Sequence, residues 1–379
     1  MKRVISKYRV ARLRPSLRPA LVLRSALVLR PALTLLLVLL SSSCYVTTQG
    51  YHLARQQIAA RPIDGIAPGR LPPDEQSLLA EAERVRRFAV GTIGLSDSGA
   101  YTVYYRTQRD HLVDVVSAAG EFSFERREWW FPFMGRFPYK GFYRRAGAER
   151  LAARLERRGW DVIIRPVEAF STLGFFRDPL VSFMADYPAP RLAELIIHEK
   201  AHATVWVRGE GQFNEEFATF VGREGARRFI ARRYPGDAEG MVAEWQARRR
   251  DSARFREDIQ SLRSELAAFY AASSGVPVAE RREDKAARIT SFQRGFAKRY
   301  DERYETEAFR AFAEITVNNA YIDLFETYSG SIDRFEDFHL SVGQGELART
   351  VELIRQGVEA WESTPRRQRP PIHSVLDGD

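Results

Sequence analysis

The stretch "ELIIHEKAHATVWVRGEGQFNEEFATFVGREG", residues 194–225, sets the reading of the whole chain. Its first half has helical spacing and no breaker before Gly209. Residues four apart lie on one face of an α-helix, a turn apart. His198 and His202 therefore point together, with Glu199 on an adjacent face. This H-E-x-x-H spacing offers two imidazoles to one metal ion and a carboxylate beside it that can take a proton from water. Leu195, Ile196, Ile197, Ala201 and Val205 suit a helix buried around that face. Zinc in such a site needs a third protein ligand and one open position. The extended form of the motif, with Gly and a third His, is absent, because Val205 stands where its glycine would be. Gly209 and Gly211 close the helix, and Asn214 is a suitable N-cap for the next one, which runs towards Phe229.

The net charge of +9 suggests a nucleic-acid or membrane partner until its location is read. Residues 1–43 hold nine basic residues and no acidic one, which leaves 49 basic against 49 acidic residues in the remainder. The basic balance thus describes a leader, and nucleic acid is not an expected partner. In that leader a basic segment precedes an apolar core, Ala32 to Leu40, and then "SSSC". Nine residues are too few to cross a bilayer, which needs about 20, and the pattern is that of a secretory signal. Cys44, the only cysteine, falls where cleavage would occur. The segment resembles a bacterial lipoprotein signal, except that Ser41 stands where leucine is usual. The resemblance implies a lipid anchor on Cys44 and a place on the periplasmic side of the bacterial cell envelope. With no other cysteine, any metal must be held by His, Asp or Glu.

Spacing predicts the following organisation. Residues 44–75 form an N-terminal helix ("GYHLARQQIAARPI") and a Pro/Gly-rich linker, and 76–363 form the main domain. Within it helices are expected over 74–90, 146–159 and 345–363, and helix-rich structure over 305–327. Strands are expected at "AYTVYYRT", in the aromatic block "EFSFERREWWFPFMGRFPYKGFY" and at "DVIIRPVEAFS". Residues 237–300 read as two antiparallel, largely solvated helices able to act as a lid, and the Pro/Arg-rich 364–379 as a loose tail.

The segment "NEEFATFV" resembles the Asn-Glu-x-x-Ala element of gluzincin metallopeptidases. The resemblance implies Glu215 as third ligand, with Asn214 beside it. Thr219, one turn on, is placed to support a ligating imidazole. Twelve residues separate His202 from Glu215, fewer than is usual in gluzincins. More widely, "GYHLARQQIAARPI", the aromatic block, "FSTLGFFRDPL", the histidine segment and "VNNAYIDLFETY" resemble a family of bacterial aminopeptidases, lipoprotein-like zincins. Members often carry a cysteine pair that aligns with Trp130 and Arg136, both lacking here. Lys200 replaces an apolar residue within the motif and is expected to reach solvent or tune Glu199.

The resemblance implies an α+β, zincin-like fold: a small mixed β-sheet packed on the metal-binding helix, with a mostly α-helical C-terminal part. It implies one zinc ion on His198, His202 and Glu215, and a peptide substrate hydrolysed by metal-activated water with Glu199 as general base. Expected oxyanion donors are Tyr328, then Tyr321, then His339. Ser171, Thr172, Leu173 and Gly174 are expected to contact substrate, and Glu168 or Glu216 to hold its ammonium group. A zinc endopeptidase of the same fold, and a non-catalytic envelope lipoprotein with a structural metal, stay open. Side-chain preference and oligomeric state are not encoded.

Overall fold

A computed structural model describes residues 48–67, 69–131, 135–167, 178–325 and 332–377. The leader, Cys44, Glu168, the stretch Ser171 to Gly174, and Tyr328 lie outside the described residues. The chain divides into two units, Met1–Arg55 and Gln56–Asp379. Residues 48–59 are helical (α1). Among the described residues no helix is long and apolar enough to cross a membrane.

In the second unit helices dominate and the sheets are small. Where one mixed sheet was expected there are two three-stranded sheets and a hairpin. The mixed sheet joins β1 (Arg61–Pro62) antiparallel to β2 (Val103–Tyr105), which runs parallel to β8 (Leu180–Val181). The antiparallel sheet has β3 (Val113–Gly120) between β6 (Tyr139–Phe142) and β7 (Trp160–Val167). The hairpin pairs β4 (Trp129–Phe131) with β5 (Gly135–Phe137). Alternate residues of β3 serve different cores: Val113 and Val115 face the main one, Val116 and Ala118 a smaller one under α3 (Arg145–Glu156). Asp114, fully buried in this strand, is held by Arg109 at 2.9 Å and Arg145 at 3.2 Å.

The main core gathers α2 (Pro73–Phe88), α4 (Ala189–Thr204) and α5 (Gly211–Arg233) with Tyr104, Leu180 and Val181 of the mixed sheet. Pro190 sits in the first turn of α4, where its fixed φ favours helix and its missing N–H costs nothing. Gly209, at φ +92°, turns the chain between α4 and α5. The two helices touch through glycine: a Cβ at Gly222 would meet the His198 Cβ at 3.1 Å, and one at Gly225 would meet Ile197 at 2.9 Å.

α6 (Ala238–Ala272) and α7 (Val278–Lys298) are antiparallel, since Phe255 meets Phe296 while Phe269 meets Arg288. They are not merely a solvated pair. Phe255, Ile259, Leu262, Leu266 and Phe296 build a second core with Phe312 and Ile322, because each helix keeps an apolar stripe among its charges. The segment 305–325 is less helical than expected, holding a 3₁₀ turn and α9 (Asn319–Asp323) after α8 (Tyr300–Arg303). α10 (Asp333–Ser341) and α11 (Leu347–Ser363) complete the fold. The tail is not loose: Ile372 and Leu376 are buried in the main core, so two apolar anchors outweigh the Pro/Arg composition.

Candidate metal centre

α4 presents His198 and His202 one turn apart, and α5 brings Glu215 to them across the glycine contact. The Nε2 atoms of the two imidazoles lie 3.1 Å apart. Glu215 Oε2 is 3.8 Å from His198 Nε2, and Oε1 is 3.5 Å from His202 Nε2. For ligands at about 2.0–2.2 Å from zinc, the edge of the coordination tetrahedron is about 3.3–3.6 Å. The three observed separations bracket that value. Burial, then each other's proximity, lowers His198 to about 4, and burial lowers His202 to about 4, so both imidazoles are neutral at pH 7. The Ala218 carbonyl beside His198 works against that lowering, as a carbonyl accepting from a ring N–H does. His202 Nδ1 is buried without a hydrogen-bond partner among the described residues, and its Nε2 meets His198 Nε2 and Glu215, where a cation could be held by all three. These three are the cluster among the described residues able to hold a metal ion.

Glu199 stands beside this cluster, raised to about 7 by burial first, and then by Asp178 and Glu215. Tyr101, buried at φ +58°, takes part in the same surroundings: its N–H donates to the Asp178 carbonyl at 2.8 Å. Trp206 follows His202 by one turn's length, its ring 5.6 Å away and half exposed.

Several expected roles change. Asn214 is not an N-cap, because α5 begins at Gly211. It is fully buried, and its amide clips the α4–α5 connection by accepting from the Val207 N–H at 2.9 Å and donating to the Val207 carbonyl at 2.8 Å. Thr219 makes no hydrogen bond to an imidazole among the described residues; the Ala218 carbonyl orients His198 instead. Lys200 does not reach solvent. It is fully buried, with Nζ 3.3 Å from Asp97 and 3.4 Å from the Ser96 carbonyl. Tyr321 belongs to the second core, between Phe312 and Phe325. His339 is engaged by Thr350 at 2.6 Å and is not one of the clustered residues. Glu216 bonds His373 at 2.6 Å and Gln212 at 2.8 Å, so its charge is already used. Trp206 and Tyr101 carry no local sequence signal; the contact of Trp206 with His202, and the nearness of Tyr101 to Glu199 and Asp178, single them out only in the folded chain.

Fold and site together define an α+β protein with a two-imidazole, one-carboxylate cluster and an adjoining buried carboxyl group. The family model described as "Putative aminopeptidase" matches residues 45–371, and the chain belongs to that family. Its coarse activity is therefore peptide hydrolysis, with peptide as the substrate class. No curated protein and no solved structure matches the chain.

Proposed function

We propose that this protein is a zinc-dependent aminopeptidase of the gluzincin type, zincin-like in fold and tethered through Cys44 to the periplasmic side of a bacterial envelope membrane. One observation carries the reading: the separations among His198, His202 and Glu215 bracket the edge length of a zinc tetrahedron, with Glu199 at their side. Zinc bound there would supply Lewis acidity to a scissile carbonyl and to water. The two neutral imidazoles and the Glu215 carboxylate would hold it, leaving a corner open. Glu199 takes a proton from water and returns it to the departing amine, a role suited to a carboxyl group in dry surroundings. Asn214 and the Ala218 carbonyl fix the groups that hold the ion. Tyr328 and the stretch Ser171 to Gly174 keep the oxyanion and substrate roles that the family resemblance gives them.

The test uses amino-acid amides with a free amino group and internally quenched peptides with blocked ends, before and after chelation. The proposal expects cleavage of the free-amine substrates alone, lost with chelator and restored by zinc. Glu199→Gln should abolish it while retaining metal. Cleavage of the blocked peptides would make the enzyme an endopeptidase, and activity persisting in Glu199→Gln would remove the mechanism.

A further inference from the structure

Beside the metal centre lies a cavity of about 370 Å³ between α5, α6 and α10. Four arginines line it: Arg223, Arg227 and Arg228 from α5, and Arg249 from α6. Glu224 is committed to Arg227 and Arg228 at 2.7 Å each. Arg223 has only a loose approach to Glu194, at 3.7 Å. Arg249 lies over the ring of Trp245, 5.1 Å from its centre, and forms no ion pair among the described residues. The Nε atoms of Arg223 and Arg249 are buried without a hydrogen-bond partner among those residues. Those Nε atoms are closed off from the cavity, so an acceptor there would meet the outer guanidinium nitrogens of the two arginines, which form no hydrogen bond among the described residues. Burial and the neighbouring Arg249 lower Arg223 to about 10, the direction expected for cations crowded together.

The cavity adjoins the cluster. Trp245 Nε1 donates to Glu194 Oε2 at 3.0 Å, and Glu194 precedes His198 by one turn of α4. Arg223 follows Gly222, which packs on His198 itself. Along α5, Arg223 lies two turns beyond Glu215, about 12 Å at 1.5 Å per residue. An extended peptide covers that distance in about three or four residues.

From this geometry we infer that Arg223 and Arg249 form a subsite for a peptide carboxylate carried three or four residues from the bond at the metal centre. A short peptide's C-terminus and an acidic side chain both supply such a carboxylate; the chemistry is the same. A monoanion suits the cavity better than a phosphate, because Glu224, Glu336 and the adjoining Glu194 offset most of the arginine charge. Planar, bidentate pairing with guanidinium supplies the selectivity. The inference rests on the peptidase reading of the neighbouring site.

The test measures binding by calorimetry, with zinc-loaded Glu199→Gln protein to prevent turnover. Three probes are compared: tetra-alanine, tetra-alanine amide, and Ala-Ala-Ala-Glu amide. Both carboxylate-bearing probes should bind about tenfold more tightly than the neutral amide. Binding gained by tetra-alanine alone assigns the subsite to a C-terminus, and by the glutamate peptide alone to a side chain. Adding Arg223→Gln and Arg249→Gln should erase the advantage, whereas the two lysine replacements should keep part of it. Equal affinity for acid and amide overturns the subsite and leaves the peptidase reading standing. That comparison needs no cavity variant to fold. An advantage that survives both glutamine changes also overturns it. If no probe binds, subsite and peptidase reading fall together.

Discussion

Replacing Gly222 by alanine tests whether the contact between α4 and α5 sets the geometry of the cluster. The new Cβ would stand 3.1 Å from the His198 Cβ, 3.2 Å from the Glu194 carbonyl oxygen and 3.4 Å from the His198 Cα. Carbon contacts are comfortable at about 3.5–4.0 Å, so the helices must part by about 0.5 Å. Two of the three neighbours are backbone atoms and cannot rotate away. Overpacking of this kind costs about 1–3 kcal/mol, and replacing a mid-helix glycine returns about 1 kcal/mol. The net loss of stability is therefore about 0–2 kcal/mol, a fall of a few degrees in Tm. The site should suffer more. His198 and Glu215 sit on opposite sides of the contact and already define its longest edge, 3.8 Å. Displacing a ligand's support typically costs about 10–100-fold in metal affinity. Zinc titration of folded Gly222→Ala should show such a loss. Gly295→Ala is the control: nothing lies within 4 Å of that position in α7, so it should gain about 1 kcal/mol and leave zinc binding alone. A Gly222→Ala protein that binds zinc as tightly as the wild type would refute the reasoning.

Asn214→Ala would leave the buried Val207 N–H unpaired, at about 1–3 kcal/mol, while the Val207 carbonyl keeps the Glu210 N–H at 3.2 Å. Denaturant unfolding should read that loss, with weaker zinc binding because the same clip seats Glu215. Trp130 and Arg136 face each other across the β4–β5 hairpin. Opposed residues there have Cα atoms about 4.5–5.5 Å apart, within disulfide range. Trp130→Cys with Arg136→Cys, in a Cys44→Ser background, should therefore oxidise and leave no titratable thiol; two persistent free thiols would contradict the register. Glu305 is held down to about 2, chiefly by the hydrogen bond from Arg250, with Arg254 adding to it. A depressed carboxyl group stabilises above its unfolded value near 4.5 and loses that contribution as pH falls towards 2. Tm of Glu305→Gln should lie below wild type at pH 7, and the two curves should converge between pH 4.5 and 2.

The helices were legible where an apolar stripe recurs at helical spacing: α2, α3, α4 and α11 fall close to the positions that spacing suggests. The strand β3 was not. "VDVVSAAG" is buried on both faces, so it shows no alternation, and the buried Asp114 gives it the look of a loop. His198, Glu199 and His202 were legible because four-residue spacing is a local property. Glu215 needed the family resemblance, since no local pattern shows that two helices will meet. Gly222 and Gly225, spaced along one face of α5, were the residues that recorded that close approach. Lys200 could not be placed from its neighbours, because its partner Asp97 lies 103 positions away. The tail misled through composition: Pro and Arg outnumber Ile372 and Leu376, but two buried anchors suffice to dock it.

Zinc-edge X-ray absorption, with metal counting on the purified protein and on Glu215→Ala, tests the centre most directly. The account predicts one zinc per chain, with two imidazole nitrogens at about 2.0–2.1 Å and oxygens filling the remaining places. Glu215→Ala should lose an oxygen neighbour and most of the affinity. A protein that takes up no zinc, or whose zinc environment is the same in Glu215→Ala, would contradict it.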